Sequence, residues 1–235
     1  MAIDFKSLVD VVIAQGIKLL CYGGAGSGKT WLCSTTGEST LIISAEAGLL
    51  SIKDAPGDIQ IVEVSTHAEV EAVLDYLEQK GTPAWVCIDS ISEIGEIVLA
   101  EQQAKHKADG RKAYGELAII MTALVKRFRA LHCNVVMTAK LDRSKDDATG
   151  AMLYGAQMPG QKFGQALPYY FDLVCAMRVA PHPKEPKRML RELQTCRDGQ
   201  WDAKDRSGKL DIFEPQNLAE LKKKILGKPP KLKAV

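Results

Sequence analysis

Residues Gly23, Gly24, Ala25, Gly26, Ser27, Gly28, Lys29 and Thr30 follow the spacing G-x-x-x-x-G-K-[ST]. Glycines at these positions let the backbone curl until successive N–H groups face one point, which suits a polyphosphate. A helix opening at Lys29 would add the positive end of its dipole. Lys29 is then placed to reach the β- and γ-phosphates, and the Thr30 hydroxyl to bind magnesium. The apolar run at 17–22 (IKLLCY) reads as a buried strand leading into the loop, the context this spacing requires. The expected ligands are ATP and Mg2+.

Two carboxylates could complete such a site. Asp89 ends the apolar run at 85–88 (WVCI), where an acid can hold the magnesium shell. The alternative is that Asp89 or Ser90 simply caps the helix that follows. Glu46 follows the run at 40–44 (TLIIS), and a carboxylate there could orient and deprotonate an attacking water. A solvated surface role is the alternative for Glu46.

These residues need a scaffold that brings several strand ends together. The chain has 235 residues, 46% hydrophobic and 26% charged, which suits one α/β domain over residues 1–227 with a basic, disordered tail at 228–235. The net charge of +2 excludes a general polycation, so any nucleic-acid surface must come from local clustering. Six cysteines lack C-x-x-C spacing and histidines number only 4, which argues for buried thiols in a reducing compartment and against a zinc site. There is no leader-like N-terminus and no apolar run near the ~18 residues a membrane helix needs, so a cytoplasmic protein without a membrane partner is expected.

Strands are expected at 59–64, 85–88, 134–139 and 171–179. Helices are expected at 67–80 (Thr66 as N-cap, Gly81 as stop), 92–103, 114–131 and 218–226. Residues 105–112 read as a basic loop, and 141–162 as a long segment with little periodicity. Residues 188–196 could pair with 171–179 across the Pro-rich turn at 182–186. The alternation predicts an α/β fold: a mainly parallel twisted sheet flanked by helices, with an antiparallel hairpin at one edge. Phe5, Leu8, Val9 and Val12 are expected to cover the chain's own core, with docking on an adjacent subunit as the alternative.

Ala45-Glu46-Ala47-Gly48-Leu49 resembles the segment that carries the catalytic glutamate of RecA-type recombinases. Residues 86–90 (VCIDS) resemble the RecA and RadA Walker B strand, and 134–140 (NVVMTAK) the strand leading to the nucleotide-sensing position and a DNA-binding loop. Residues 202–208 (DAKDRSG) are similar to a stretch in core-only phage proteins. Over about 17–210 the chain thus resembles phage-encoded, RecA-like single-strand annealing ATPases of the Sak-four type. The resemblance implies a RecA-like P-loop core and DNA-stimulated hydrolysis, with Glu46 and Lys29 catalytic. It implies a filament or ring with ATP between subunits, where Lys204 and Arg206, with Arg197 as a third candidate, act on the neighbour's γ-phosphate. Implied partners are single-stranded DNA, further copies of the chain and a single-strand binding protein, in the host bacterial cytoplasm. Thr138-Ala139-Lys140 stands where RecA has Asn-Gln, and the helix after the phosphate loop is shorter.

Two basic stretches fall where RecA-like proteins contact DNA. One holds Lys105, Lys107, Arg111 and Lys112; the other holds Arg143, Lys145 and Lys162, diluted by Asp142, Asp146 and Asp147. Phosphate neutralisation there would give sequence-independent, salt-sensitive binding. An ordinary solvated face is the alternative. Rival functions are a regulatory or assembly ATPase acting on a protein, and a small-molecule P-loop kinase.

Overall fold

The computed structural model describes residue 7 and residues 14–227, apart from Ala47, Pro183 and Pro186. The expected tail at 228–235 and the apolar residues Phe5, Leu8, Val9 and Val12 lie outside the described residues. In chain order the elements are β1 (Lys18–Gly23), α1 (Lys29–Cys33), β2 (Thr40–Ser44), β3 (Ile59–Glu63), α2 (His67–Lys80), β4 (Trp85–Asp89), α3 (Ile91–Lys105) and α4 (Gly110–Ala130). They continue with β5 (Asn134–Lys145), β6 (Met152–Ala156), α5 (Gln161–Ala166), β7 (Leu173–Pro181), β8 (Met189–Gln194), β9 (Lys204–Asp205), β10 (Phe213–Pro215) and α6 (Leu218–Leu226).

The sheet runs β10-β8-β7-β1-β5-β4-β2-β3, with β6 on β5 and β9 on β7. From β7 to β3 the neighbours are parallel, while β8 and β10 add the expected antiparallel edge. Period-2 alternation feeds two cores from the same strands. Leu20, Tyr22, Val86, Ile88, Val135 and Met137 pack beneath α2, α3 and α4. Leu19, Cys21, Trp85, Cys87, Val136 and Cys175 pack on the other side against Leu32 of α1 and Leu218 and Leu221 of α6. Cys21, Cys33, Cys87, Cys133 and Cys175 are buried, and burial pushes the Cys21 thiol well above its ordinary range.

Helix boundaries follow local chemistry. Thr66 and Glu69 form a reciprocal capping box at the start of α2, and Gly81 ends it at φ 97°. Leu117, Met121, Leu124, Val125 and Phe128 give α4 one fully buried face. Two expectations need correction. Residues 105–112 are not one loop: α3 runs to Lys105 and α4 starts at Gly110, because the Asp109 carboxylate accepts the Lys112 N–H at 3.1 Å and caps the helix. Residues 141–162 are not structureless either. β5 continues to Lys145 and pairs antiparallel with β6, Leu141 opposite Ala156 and Lys145 opposite Met152. Asp146 closes the turn by accepting N–H groups from Ala148 and Thr149. Beyond Leu141, β5 is polar on both faces while β6 reads MLYGA, so neither strand shows the polar–apolar alternation by which strands are read.

The carboxyl ends of the parallel strands form one edge. Gly23 is level with Lys140, and Ser44 with Asp89. Beyond Lys140, β5 leaves β1 and projects outward as the ribbon with β6. The tip between α3 and α4 belongs to this edge too. The N–H of His67, in the first turn of α2, donates to Glu101 Oε1 at 3.0 Å. The first turns of α4 pass Gly160, which follows the ribbon, within contact of Tyr114 and Leu117.

Candidate nucleotide site

The phosphate loop joins β1 to α1. Gly26 and Gly28 have φ of 73° and 95°, left-handed values that residues with a Cβ adopt poorly. At Gly28 a Cβ would also stand 2.9 Å from Gln216 Oε1. Lys29 Nζ donates to the carbonyls of Gly23 and Gly24 at 3.2 and 3.1 Å, so the ammonium lies across the mouth of the loop.

The Thr30 hydroxyl donates to Asp89 Oδ2 at 2.6 Å, and the Thr138 hydroxyl to Asp89 Oδ1 at 2.5 Å. Asp89 is 1% exposed and is aimed at the loop by the β4–β5 and β4–β2 pairings. Its neighbour takes the capping role: Ser90 Oγ accepts the Glu93 N–H at 3.3 Å. The capping role, left open between Asp89 and Ser90, falls to Ser90. Ser90 also donates to Glu46 Oε1 at 2.5 Å, while the Ala45 N–H donates to the Asp89 carbonyl at 2.8 Å. Glu46 is therefore tied to the β4 end and opens onto the phosphate loop.

These residues surround a cavity of about 1060 Å³ whose walls include Lys29, Thr30, Glu46, Lys140, Arg143 and Gln216. Its size suits a nucleotide. The donor set also fits magnesium, which is commonly held by one or two protein oxygens together with substrate phosphates. Thr30 and Asp89 would hold the ion. Among the described residues, no group of three or more His, Cys, Asp or Glu forms a separate metal cage.

Thr138 and Lys140 fall in the stretch compared with the nucleotide-sensing position of RecA, but the sequence assigns them no contact in the site, and it does not single out Gln216 at all. Thr138 sits inside an apolar strand and reaches Asp89 only through the β4–β5 register. Lys140 is level with Gly23, and its ammonium pairs with Glu93, which raises its pKa with a smaller contribution from Glu46. Gln216 donates to the Ser27 carbonyl at 3.2 Å, bracing the loop from β10's end of the sheet. No local pattern could have marked it.

Arg143, expected among the DNA contacts, lines the phosphate cavity. Lys145 ends β5 and Lys162 lies in the first turn of α5, on the far side of the ribbon. Lys105, Lys107, Arg111 and Lys112 cluster at the α3–α4 tip. Lys204 and Arg206 are not brought to the phosphate loop of their own chain. β9 pairs with the amino end of β7, and with Arg197 they line a second cavity of about 580 Å³. Lys204 Nζ donates to the Pro168 carbonyl at 2.7 Å, and its burial lowers its pKa; Arg206 stands 3.8 Å from Asp172.

A glycine-rich phosphate loop on β1, with a buried carboxylate on β4 across the intervening β5, defines a P-loop NTPase. Residues 15–207 match the family model described as AAA domain, and the chain belongs to that family of P-loop ATPases. No curated protein matches the chain. No helix among the described residues is long and apolar enough to cross a membrane.

Proposed function

We propose that the protein is an ATP-dependent single-stranded DNA-binding and annealing protein of phage homologous recombination, with DNA-stimulated ATP hydrolysis. One observation carries the reading: the α3–α4 tip, with Lys105, Lys107, Arg111 and Lys112, shares an edge with the phosphate cavity. DNA on that edge could therefore influence hydrolysis. Lys145 and Lys162 would extend the same track.

In this reading Lys29 and the loop amides bind the phosphates, and Thr30 and Asp89 hold Mg2+. When bound there, magnesium would neutralise phosphate charge. Glu46, oriented by Ser90, takes the proton of the attacking water. The charge that develops on the γ-phosphate is met by a cation from the next subunit of a filament or ring. Arg206, half exposed and held only at 3.8 Å from Asp172, suits that role better than Lys204, whose ammonium donates to the Pro168 carbonyl at 2.7 Å. A single-strand binding protein would be a further partner, in the host cytoplasm.

The test is ATP turnover with and without single-stranded DNA, alongside DNA binding at rising salt. Stimulation and salt-sensitive binding are expected, and both should fall when Lys105, Lys107, Arg111 and Lys112 are reversed to Glu. A second reading, a regulatory ATPase acting on a protein partner, has one observation in its favour. An apolar groove of about 1080 Å³ on α4, lined by Tyr114, Leu117, Ile119 and Phe163, leaves Ile119 66% exposed. Turnover indifferent to DNA and to the charge reversals would select it.

A further inference from the structure

We propose that Arg143 binds the terminal phosphate of the nucleotide in its own chain, and that Trp201 positions it by clamping the β5–β6 ribbon. The proposal rests on the nucleotide-binding reading of the cavity, not on the DNA reading.

The ribbon is a partition. Side chains alternate along β5, so Leu141 and Arg143 line the phosphate cavity while Asp142 and Ser144 line the second cavity behind it. Arg143 lies three residues beyond Lys140 on β5, the strand between β1, which carries the phosphate loop, and β4, which carries Asp89. The two cations differ in what holds them. The Lys140 ammonium is engaged by Glu93, whereas Arg143 has no ion-pair partner among the described residues. A guanidinium fork able to meet two oxygens at once, lining the same nucleotide-sized cavity as Lys29, is suited to a terminal phosphate.

A two-stranded ribbon projecting from a sheet is marginal by itself. Here it is fastened at one point. Tyr154 is the cross-strand partner of Arg143, so their side chains share a face. The Tyr154 ring stacks on Trp201 with centroids 4.2 Å apart at 17°, and the Arg178 guanidinium lies 4.1 Å from the centroid of the indole. The backbone is fastened as well. The Tyr154 N–H donates to the Gln200 carbonyl at 2.8 Å, and the Asp202 N–H to the Tyr154 carbonyl at 3.0 Å. The Tyr22 hydroxyl donates to the Asp202 and Tyr154 carbonyls at 2.7 and 3.1 Å. Tyr22 immediately precedes the phosphate loop, so the clamp ties β6, the strand paired with the one carrying Arg143, to the strand carrying the loop. Losing the Trp201 ring frees the ribbon and, with it, the guanidinium.

Affinities for ATPγS and ADP, measured by titration calorimetry with magnesium, test both parts. Arg143→Ala should weaken ATPγS roughly tenfold, the scale of one charge-assisted contact, and leave ADP unchanged. Trp201→Ala should shift the same ratio several-fold while Trp201→Phe, which keeps a stacking ring, restores it. The double variant Arg143→Ala/Trp201→Ala should be no weaker for ATPγS than Arg143→Ala alone. Equal loss for both nucleotides, or none for either, in Arg143→Ala overturns the phosphate role. So does an unchanged ATPγS-to-ADP ratio together with weakened DNA binding. Additive losses in the double variant overturn the positioning role of Trp201. If the unaltered protein binds neither nucleotide, the reading of the cavity itself fails, which is a separate result.

Discussion

The Thr30 hydroxyl and the Asp89 carboxylate meet at 2.6 Å, joining the first turn of α1 to the carboxyl end of β4. A second hydroxyl, from Thr138, occupies the other carboxylate oxygen at 2.5 Å. With both oxygens engaged and 1% of the residue exposed, Asp89 has one orientation, and it faces the phosphate loop. Asp89→Asn should therefore remove the part of triphosphate affinity that depends on magnesium and lower turnover by about 100-fold or more. Titrations with magnesium and with EDTA would separate the two: the variant and the unaltered protein should converge in EDTA. A difference that persists without the metal would assign Asp89 to folding rather than to the cation.

Glu46 has a different task and should show a different signature. Ser90 grips one of its oxygens at 2.5 Å, and the other has no hydrogen-bond partner among the described residues. Glu46→Gln keeps the size and the Ser90 contact but cannot take a proton. Turnover should fall by about 10²–10⁴, with ATPγS affinity within a factor of ~2. A large loss of affinity with turnover preserved at saturation would place Glu46 in binding and remove it from the chemistry.

The core of this site was legible because its parts are local. The phosphate loop is eight consecutive residues, and Asp89 and Glu46 each follow a short apolar run that reads as a strand. The partners that fix those residues come from elsewhere. Thr138 depends on the β4–β5 register, and Gln216 on a contact with a residue 189 positions earlier. The parallel sheet and its antiparallel edge were legible from alternation and turn residues. The β5–β6 ribbon was not, because Asp142, Arg143, Ser144 and Lys145 give a strand polar on both faces. Its stability comes from Trp201 and Tyr22 rather than from its own pattern.

On the outer face, Arg127 of α4 gathers Glu71, Asp75 and Glu78 of α2, with Asp75 at 2.6 Å and Glu78 at 2.8 Å. Those acids lie along one side of α2 and repel one another without the guanidinium. Its contacts with Glu78 and Asp75 raise the Arg127 pKa and hold Glu78 below the usual carboxylate range. Because the groups are partly solvated, the network is worth little per contact, and Arg127→Ala should destabilise by only about 1 kcal/mol. Denaturant titrations in low and in 1 M salt would check it. The loss should shrink at high salt, where the Debye length is ~3 Å. A loss independent of salt would mean that the packing of the arginine stem dominates.

Lys18 makes the opposite case, a charge kept almost wholly inside. The residue is 3% exposed, and its ammonium donates to the carbonyls of Gln15, Leu131 and Cys133, the latter two at 2.8 and 2.6 Å. Burial lowers its pKa from the ordinary 10.5 to about 8; the Cys133 thiol and the Asp172 carboxylate oppose the shift, and Arg129 adds to it. Between pH 8 and 10.5 the unfolded chain binds a proton that the folded chain releases, so stability rises with pH across that window. The gain from this one group is roughly 3 kcal/mol at most. Lys18→Met removes the titration, so the stability of the unaltered protein relative to the variant should climb between pH 8 and 10.5. Denaturant melts at half-unit steps in pH would measure it. A difference that stays flat would mean that the three carbonyls compensate the ammonium fully for the water it loses, so that its charge is no burden to the fold.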